Sequence, residues 1–203
     1  SHHVDLFLFT DSDEEFKDDR LAIKKYYIKR KGFPGDTLFR YHYFLKAEKE
    51  LLEYDYIFYI DVDMNVVGEV NEEIFGDLVA THHPGFYKRP GATFENRRES
   101  TAYIKHNPDA PYYCGGFQGG TSEEYLKASR AIKNNINIDG KNRIIARWHD
   151  ESHWNAYLVK NPPSLELDPR YCYPEERYEW LLEFEDSKKI MPMIKDEATL
   201  RAP

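Results

Sequence analysis

The sequence predicts a single α/β domain over residues 1–203, with a mostly parallel sheet and flanking helices. Three observations carry this. The run Tyr54-Asp-Tyr-Ile-Phe-Tyr-Ile60 is dense in aromatic and β-branched residues and reads as a buried strand, ending abruptly in Asp61 and Asp63. An earlier apolar run, Val4–Phe9, is separated from it by a helical period, and strand, helix, strand in that order indicates a right-handed crossover between parallel strands. At 203 residues the chain is long enough to bury one full core.

Taken in order, Val4–Phe9 is the first strand and Thr10–Asp13 the polar loop after it. Residues 14–31 are charged and support a helix or strand only weakly. Gly32-Phe-Pro-Gly35 marks a turn, Asp36 or Thr37 offers a cap, and Leu38, Tyr41, Phe44, Leu45, Leu51 and Leu52 carry one helix to about Glu53. Residues 66–78 are ambiguous, and 79–83 is a further strand. Proline-punctuated residues 88–111 read as a long surface excursion. Pro111–Gly120 is a glycine-dense strand and turn that allows close approach of a ligand to the backbone. Thr121-Ser-Glu-Glu124 fits a capping box for an amphipathic helix through Ile136. A second helix is expected over 139–147, a break at 148–152, and a helix again over 153–160. The tail from Asp186 to Pro203 is charged and reads as a mobile closing segment outside the core.

Composition limits the partners. A net charge of −8 argues against nonspecific nucleic-acid or anionic-membrane binding. The aromatic share of 15%, with 16 Tyr and 3 Trp, suits surfaces that stack on sugars or bases. Two cysteines, Cys114 and Cys172, make no disulfide framework and point to a reducing compartment. No apolar run approaches transmembrane length.

Open α/β sheets bind ligands beyond the carboxyl ends of their strands, which is where Asp61 and Asp63 stand. Two hard carboxylate donors there suit Mn²⁺ or Mg²⁺, leaving positions for water and substrate phosphates. A strand ending in D-x-D equally serves as an ordinary turn or helix cap.

Six segments in one order carry a resemblance. Phe9-Thr-Asp11, Asp61-Val-Asp63-Met64, His83-Pro-Gly-Phe-Tyr87, Phe94-Glu-Asn-Arg-Arg98 with Ala102-Tyr-Ile104, Tyr112-Tyr-Cys-Gly-Gly-Phe-Gln-Gly-Gly120 and Trp148-His-Asp-Glu-Ser152 together resemble glycosyltransferase family 6, from Val4 to Arg201. The resemblance implies a GT-A fold: one Rossmann-like domain that binds a UDP-sugar with the metal on D-x-D. It implies transfer of GalNAc or galactose, with retention, to O3 of a β-galactoside, including a fucosylated one. Glu151 is then the catalytic carboxylate and also meets the acceptor, since retention needs a negative group beneath the anomeric carbon. Arg40, Asp150, Cys114, Gly115 and Gly116 are implied on the donor side, with Gly116 leaving room for an N-acetyl group. His83 and Trp148 are implied on the acceptor side, and Lys195 and Arg201 over the diphosphate. The family's first strand and loop, which help hold uridine, have no counterpart ahead of Val4. The setting implied is the cytoplasm, as for a bacterial or viral relative, or the Golgi lumen for a trimmed catalytic domain. Two rivals stand beside this reading: a sugar- or nucleotide-binding module without turnover, and a D-x-D phosphotransferase.

Overall fold

The computed structural model describes residues 2–105, 107 and 109–193. β1 (Asp5–Thr10) and β2 (Ala22–Tyr27) are followed by three short helices, α1 (Gly35–Leu38), α2 (Arg40–Phe44) and α3 (Glu48–Leu51). Then come β3 (Tyr56–Ile60), β4 (Met64–Val66), β5 (Leu78–His82), β6 (Tyr113–Thr121), α4 (Ser122–Lys141), α5 (His149–Lys160), β7 (Leu165–Leu167) and β8 (Ile190–Pro192).

The central sheet has the order β3-β6-β5-β7 and is mixed, not mostly parallel. β6 runs antiparallel to both β3 and β5, while β5 and β7 are parallel. The expected crossover from the first strand to β3 is replaced by a separate parallel ribbon of β1 with β2. Phe9 pairs with Tyr26 there, and their rings stack at 5.3 Å, so aromatic contact builds a strand from a stretch whose charge obscures it.

The glycines of β6 serve two purposes. A Cβ on Gly119 would collide with the Ile57 carbonyl, and one on Gly120 (φ 146°) with the Asp77 carbonyl, so these two let neighbouring backbone close in. Gly115 and Gly116 instead border a cleft. The segment is one continuous strand with no internal turn.

The single helix expected up to Glu53 is three pieces, interrupted where Phe39 and Ala47 depart from helical backbone. Its apolar positions Leu38, Tyr41, Phe44 and Leu51 are nevertheless buried. α4 buries Tyr125, Leu126, Ala128, Ser129, Ile132 and Ile136 along one stripe. The capping box is not formed: Thr121 makes no side-chain cap, Thr121 Oγ1 turns to the Asp77 carbonyl, and Ser122 Oγ donates to the Tyr54 carbonyl. The separate helix expected over 139–147 is absent, because Asp139 still belongs to α4 and the helix stops at Lys141. α5 begins at His149, so 149–152 form its first turn and not a break.

Residues 88–111 lack regular structure but are not merely a surface excursion. Phe94, Ala102 and Ile104 pack with Tyr112, Ala146 and Ala156 into a core of their own. Glu95, 1% exposed, takes hydrogen bonds from Arg97 Nε (2.9 Å) and Arg147 N (2.7 Å), and the side chain of Arg97 holds its carboxyl at about 2. The stretch after Asp186 also enters the body of the fold. Ile190 is 1% exposed, and β8 pairs antiparallel with β4.

Candidate active site

A cleft of about 210 Å³ opens where β3 ends and β6 begins, against α2 and the start of α5, lined by Thr37, Arg40, Asp61, Gly115, Gly116, Trp148, His149, Asp150 and Glu151. Local chemistry explains why these elements meet. Asn155, one turn beyond Glu151 on α5, accepts from Tyr113 N (2.9 Å), and its Nδ2 donates to Tyr113 O (2.8 Å) and Glu151 O (2.9 Å). That clasp docks the start of α5 on the start of β6.

Arg40 is the centre of charge. Its Nη1 donates to Gly115 O at 2.8 Å, its Nε lies 3.0 Å from Asp150 Oδ2, and its Nη2 lies 3.3 Å from Asp61 Oδ1. The guanidinium also stacks over the Tyr59 ring at 4.5 Å. Burial opposes the charge, but Asp150, Tyr59 and Asp61 hold the arginine protonated, well above its ordinary range. Tyr59 hydroxyl donates to Asp61 Oδ1, so that oxygen is doubly engaged, while Oδ2 would lie 3.2 Å from a Cβ placed on Gly116.

The two carboxylates of α5 behave differently from surface acids. Burial pushes Asp150 up to about 6 against the pull of Arg40, with Asp61 adding to the rise. Burial pushes Glu151 up to about 7, against hydrogen bonds from Tyr112 Oη to Oε1 and from Gly115 N to Oε2, both 2.8 Å. Groups tuned toward neutrality in a cleft mark sites of chemistry. Between Trp148 and Asp150, His149 holds a left-handed backbone (φ 49°), which costs a non-glycine residue roughly 1–3 kcal/mol. Trp148 stays 45% exposed, its Nε1 donating to Thr93 Oγ1 at 2.8 Å, whereas Asp150 is 1% exposed.

Seven of the residues singled out from sequence thus share the cleft: Arg40, Asp61, Gly115, Gly116, Trp148, Asp150 and Glu151. His83 does not line it. Its Nδ1 accepts from Gly85 N at 3.1 Å, burial lowers it to about 4, and its ring meets the edge of Tyr112 at 5.6 Å. Cys114 is buried beside the cleft, and its thiol faces that of Cys172. Asp63 is not among the lining residues, but its carbonyl accepts from Met193 N at 2.6 Å, tying the strand-end loop to the chain leaving β8. Lys195 and Arg201 lie outside the described residues.

The sequence assigns no site role to Thr37, Tyr59, Tyr112, His149 or Asn155. Two had a usable signal: Tyr59 precedes Asp61 by the two-residue period of a strand, and Asn155 follows Glu151 by one helical turn. For Tyr112 and Thr37 the relevant neighbours are distant in sequence.

Asp61 and Asp63 suit a hard divalent cation in the kind of their donors, and Asp61 Oδ2 accepts no hydrogen bond in the site just described. Among the described residues no three His, Cys, Asp or Glu side chains gather to hold a metal. Among the described residues, too, no helix is long and apolar enough to cross a membrane.

The family model described as Glycosyltransferase family 6 matches residues 41–201. The chain is similar to Histo-blood group ABO system transferase 1 of Rattus norvegicus, 40% identical over 130 residues, covering 63% of this chain and 37% of the rat protein. It is similar to Globoside alpha-1,3-N-acetylgalactosaminyltransferase 1 of Mus musculus, 36% identical over 138 residues, or 67% of this chain and 39% of the mouse protein. Against O-antigen biosynthesis glycosyltransferase WbnI of Escherichia coli it is 31% identical over 174 residues, covering 84% of this chain and 74% of that protein. The chain therefore spans well under half of the animal relatives' length and most of the bacterial one.

Proposed function

The chain belongs to glycosyltransferase family 6, and from that premise we propose that it moves GalNAc, or galactose, from the UDP-sugar to O3 of a β-galactoside with retention, forming an α1,3 linkage. The observation that carries this reading is the meeting of Glu151, Asp150 and Arg40 around Gly115 in one cleft at the end of the D-x-D strand. A mixed α/β domain with its site at strand ends accords with a GT-A arrangement.

In this scheme Glu151 places a carboxylate beneath the anomeric carbon, as nucleophile or as partner of an oxocarbenium-like ion. Fixed donors on both of its oxygens remove the need to reorganise as positive charge develops. Asp150 accepts from donor-sugar hydroxyls and is itself fixed by Arg40. Gly116 leaves space beside C2 for an N-acetyl group, and Cys114 and Gly115 complete that wall. Trp148, tethered at Nε1 and exposed on its face, serves as the acceptor's stacking platform. His83, kept neutral by burial, lies outside the cleft lining, so its acceptor role rests on the resemblance alone.

Asp61 and Asp63 would hold Mn²⁺ or Mg²⁺, which when bound neutralises the diphosphate of the departing UDP. The backbone N–H of Met193, just after β8, donates to the Asp63 carbonyl; the roles of Lys195 and Arg201 over the diphosphate are those that the resemblance implies. The setting we propose is the cytoplasm, as the resemblance implies for a bacterial or viral relative, with the Golgi lumen as the alternative.

The test is UDP release and product formation from UDP-GalNAc and UDP-galactose with Mn²⁺ and β-galactosides, with and without fucose. The expected product has an α-anomeric proton by NMR, and Glu151→Gln abolishes it. Tight UDP-sugar binding without any product would favour a binding module, and ³¹P signals of phosphoryl transfer to water a phosphotransferase.

A further inference from the structure

This inference deepens the reading of Glu151 given above and rests on it. Tyr112 immediately precedes β6 and is 3% exposed. Its hydroxyl donates to Glu151 Oε1 at 2.8 Å while Gly115 N donates to Oε2 at the same distance, so each carboxylate oxygen has its own fixed donor. The phenol ring is confined on several sides, by His83 at 5.6 Å, Phe86 at 5.2 Å and Phe94 at 5.1 Å between centroids. A ring packed this way keeps one rotamer, and its hydroxyl keeps one direction.

We infer that Tyr112 is a positioning residue for the transfer: it aims the Glu151 carboxylate and preserves its ionised form, from a ring that abuts His83.

The electrostatics agree with the geometry. Burial drives Glu151 toward its neutral form, and among the groups that resist this the Tyr112 hydroxyl comes first, ahead of Gly115 N. The other charged or titratable groups facing Glu151 are Asp150 on its own helix, Arg40 from α2 and Cys172 from the turn at Pro169–Cys172. Asp150 raises the carboxyl and Arg40 lowers it. Burial, with the Glu151 charge second, holds the Tyr112 phenol protonated far above its usual range, so it remains a donor at any working pH. With Glu151 at about 7, losing that donor tips the carboxyl toward its neutral form near neutral pH.

The experiment measures pH–rate profiles of the whole chain with UDP-GalNAc and a β-galactoside acceptor for parent, Tyr112→Phe and Glu151→Gln. Phenylalanine keeps the ring packing and removes only the hydroxyl. A hydrogen bond to a charged group is worth enough that kcat is expected to fall roughly tenfold to a hundredfold. The KM for donor is expected to hold, and the acid limb of kcat/KM to move up by about one pH unit. Replacing Tyr112 by 3-fluorotyrosine, a more acidic phenol that keeps ring and hydroxyl, is expected to move the limb the other way, and it carries the test if the phenylalanine variant does not fold. A drop in kcat with the limb in place, or a limb indifferent to fluorination, overturns the inference. Undiminished turnover by Glu151→Gln overturns the assignment of Glu151 itself, whatever Tyr112→Phe does.

Discussion

Arg40 and Asp150 form a buried ion pair with Nε 3.0 Å from Oδ2 and both side chains almost wholly out of water. The same guanidinium reaches Gly115 O on β6 and Asp61 at the end of β3. One side chain thus holds the end of β3, the glycines of β6 and the start of α5 in a common register. Its donors are largely spent on protein, so in the proposed scheme Arg40 would act mainly by fixing Gly115, Asp150 and Asp61.

Removing that arginine leaves Asp150 buried without its counter-charge. Arg40→Met is expected to cost about 3–5 kcal/mol at pH 8 in urea denaturation. The loss should shrink at pH 5, where Asp150, already at about 6 in the parent, takes up a proton. Adding Asp150→Asn should recover most of it. Equal instability of the single and double variants at both pH values would count against the pair.

Gly116 sits where a Cβ would lie 3.0 Å from Met64 Sδ and 3.2 Å from Asp61 Oδ2. Gly116→Ala is expected to shift the ratio of kcat/KM for UDP-GalNAc over UDP-galactose toward galactose by roughly 1–3 kcal/mol, the usual worth of a pocket group. Competition assays with both donors give the ratio directly. Equal losses for the two would mean that the methyl merely crowds Asp61.

On the proposed role of Glu151, the carboxyls of α5 are expected to make stability and activity respond oppositely to pH. Asp150 rises from 3.8 to about 6 and Glu151 from 4.5 to about 7, both chiefly through burial, so over this range the folded chain holds more protons than the unfolded one. Their stabilising share is fully present below the unfolded values and is lost as pH rises through about 6 to 7. Turnover, on the proposed role of an ionised Glu151, is expected to rise through the same window. The denaturation midpoint of Glu151→Gln should therefore decline less between pH 4.5 and 7 than that of the parent. Parallel curves for the two proteins would rule this out.

Chelation offers a separate check on Asp61 and Asp63. EDTA should abolish transfer and Mn²⁺ restore it, while Asp61→Asn and Asp63→Asn should raise the Mn²⁺ concentration needed for half activity. Calorimetry of Mn²⁺ binding in the presence of UDP should weaken in the same variants. Full turnover after exhaustive chelation would remove the metal from the scheme.

Local chemistry made part of this protein legible. Tyr54–Ile60 announces β3 through its own side chains, and the 3.6-residue stripe from Tyr125 to Ile136 announces α4. What misled lay in non-local terms. Nothing near β3 reveals that its partner β6 runs antiparallel, and the charge of residues 14–31 hides a strand that exists because Tyr26 stacks on Phe9. Phe94, Ala102 and Ile104 show no period because they pack as an irregular segment against Tyr112, Ala146 and Ala156.

By itself the sequence determined the family, through six ordered motifs, and the residue types available for catalysis, because such types and spacings are properties of the chain alone. Only the tertiary structure decided that Arg40 binds Asp150 and Asp61 at once, that Tyr112 and Gly115 share the Glu151 carboxylate, and that Met193 is bonded to Asp63. Those pairings join segments far apart along the chain, and they exist only once burial has removed the water that would otherwise satisfy each group separately.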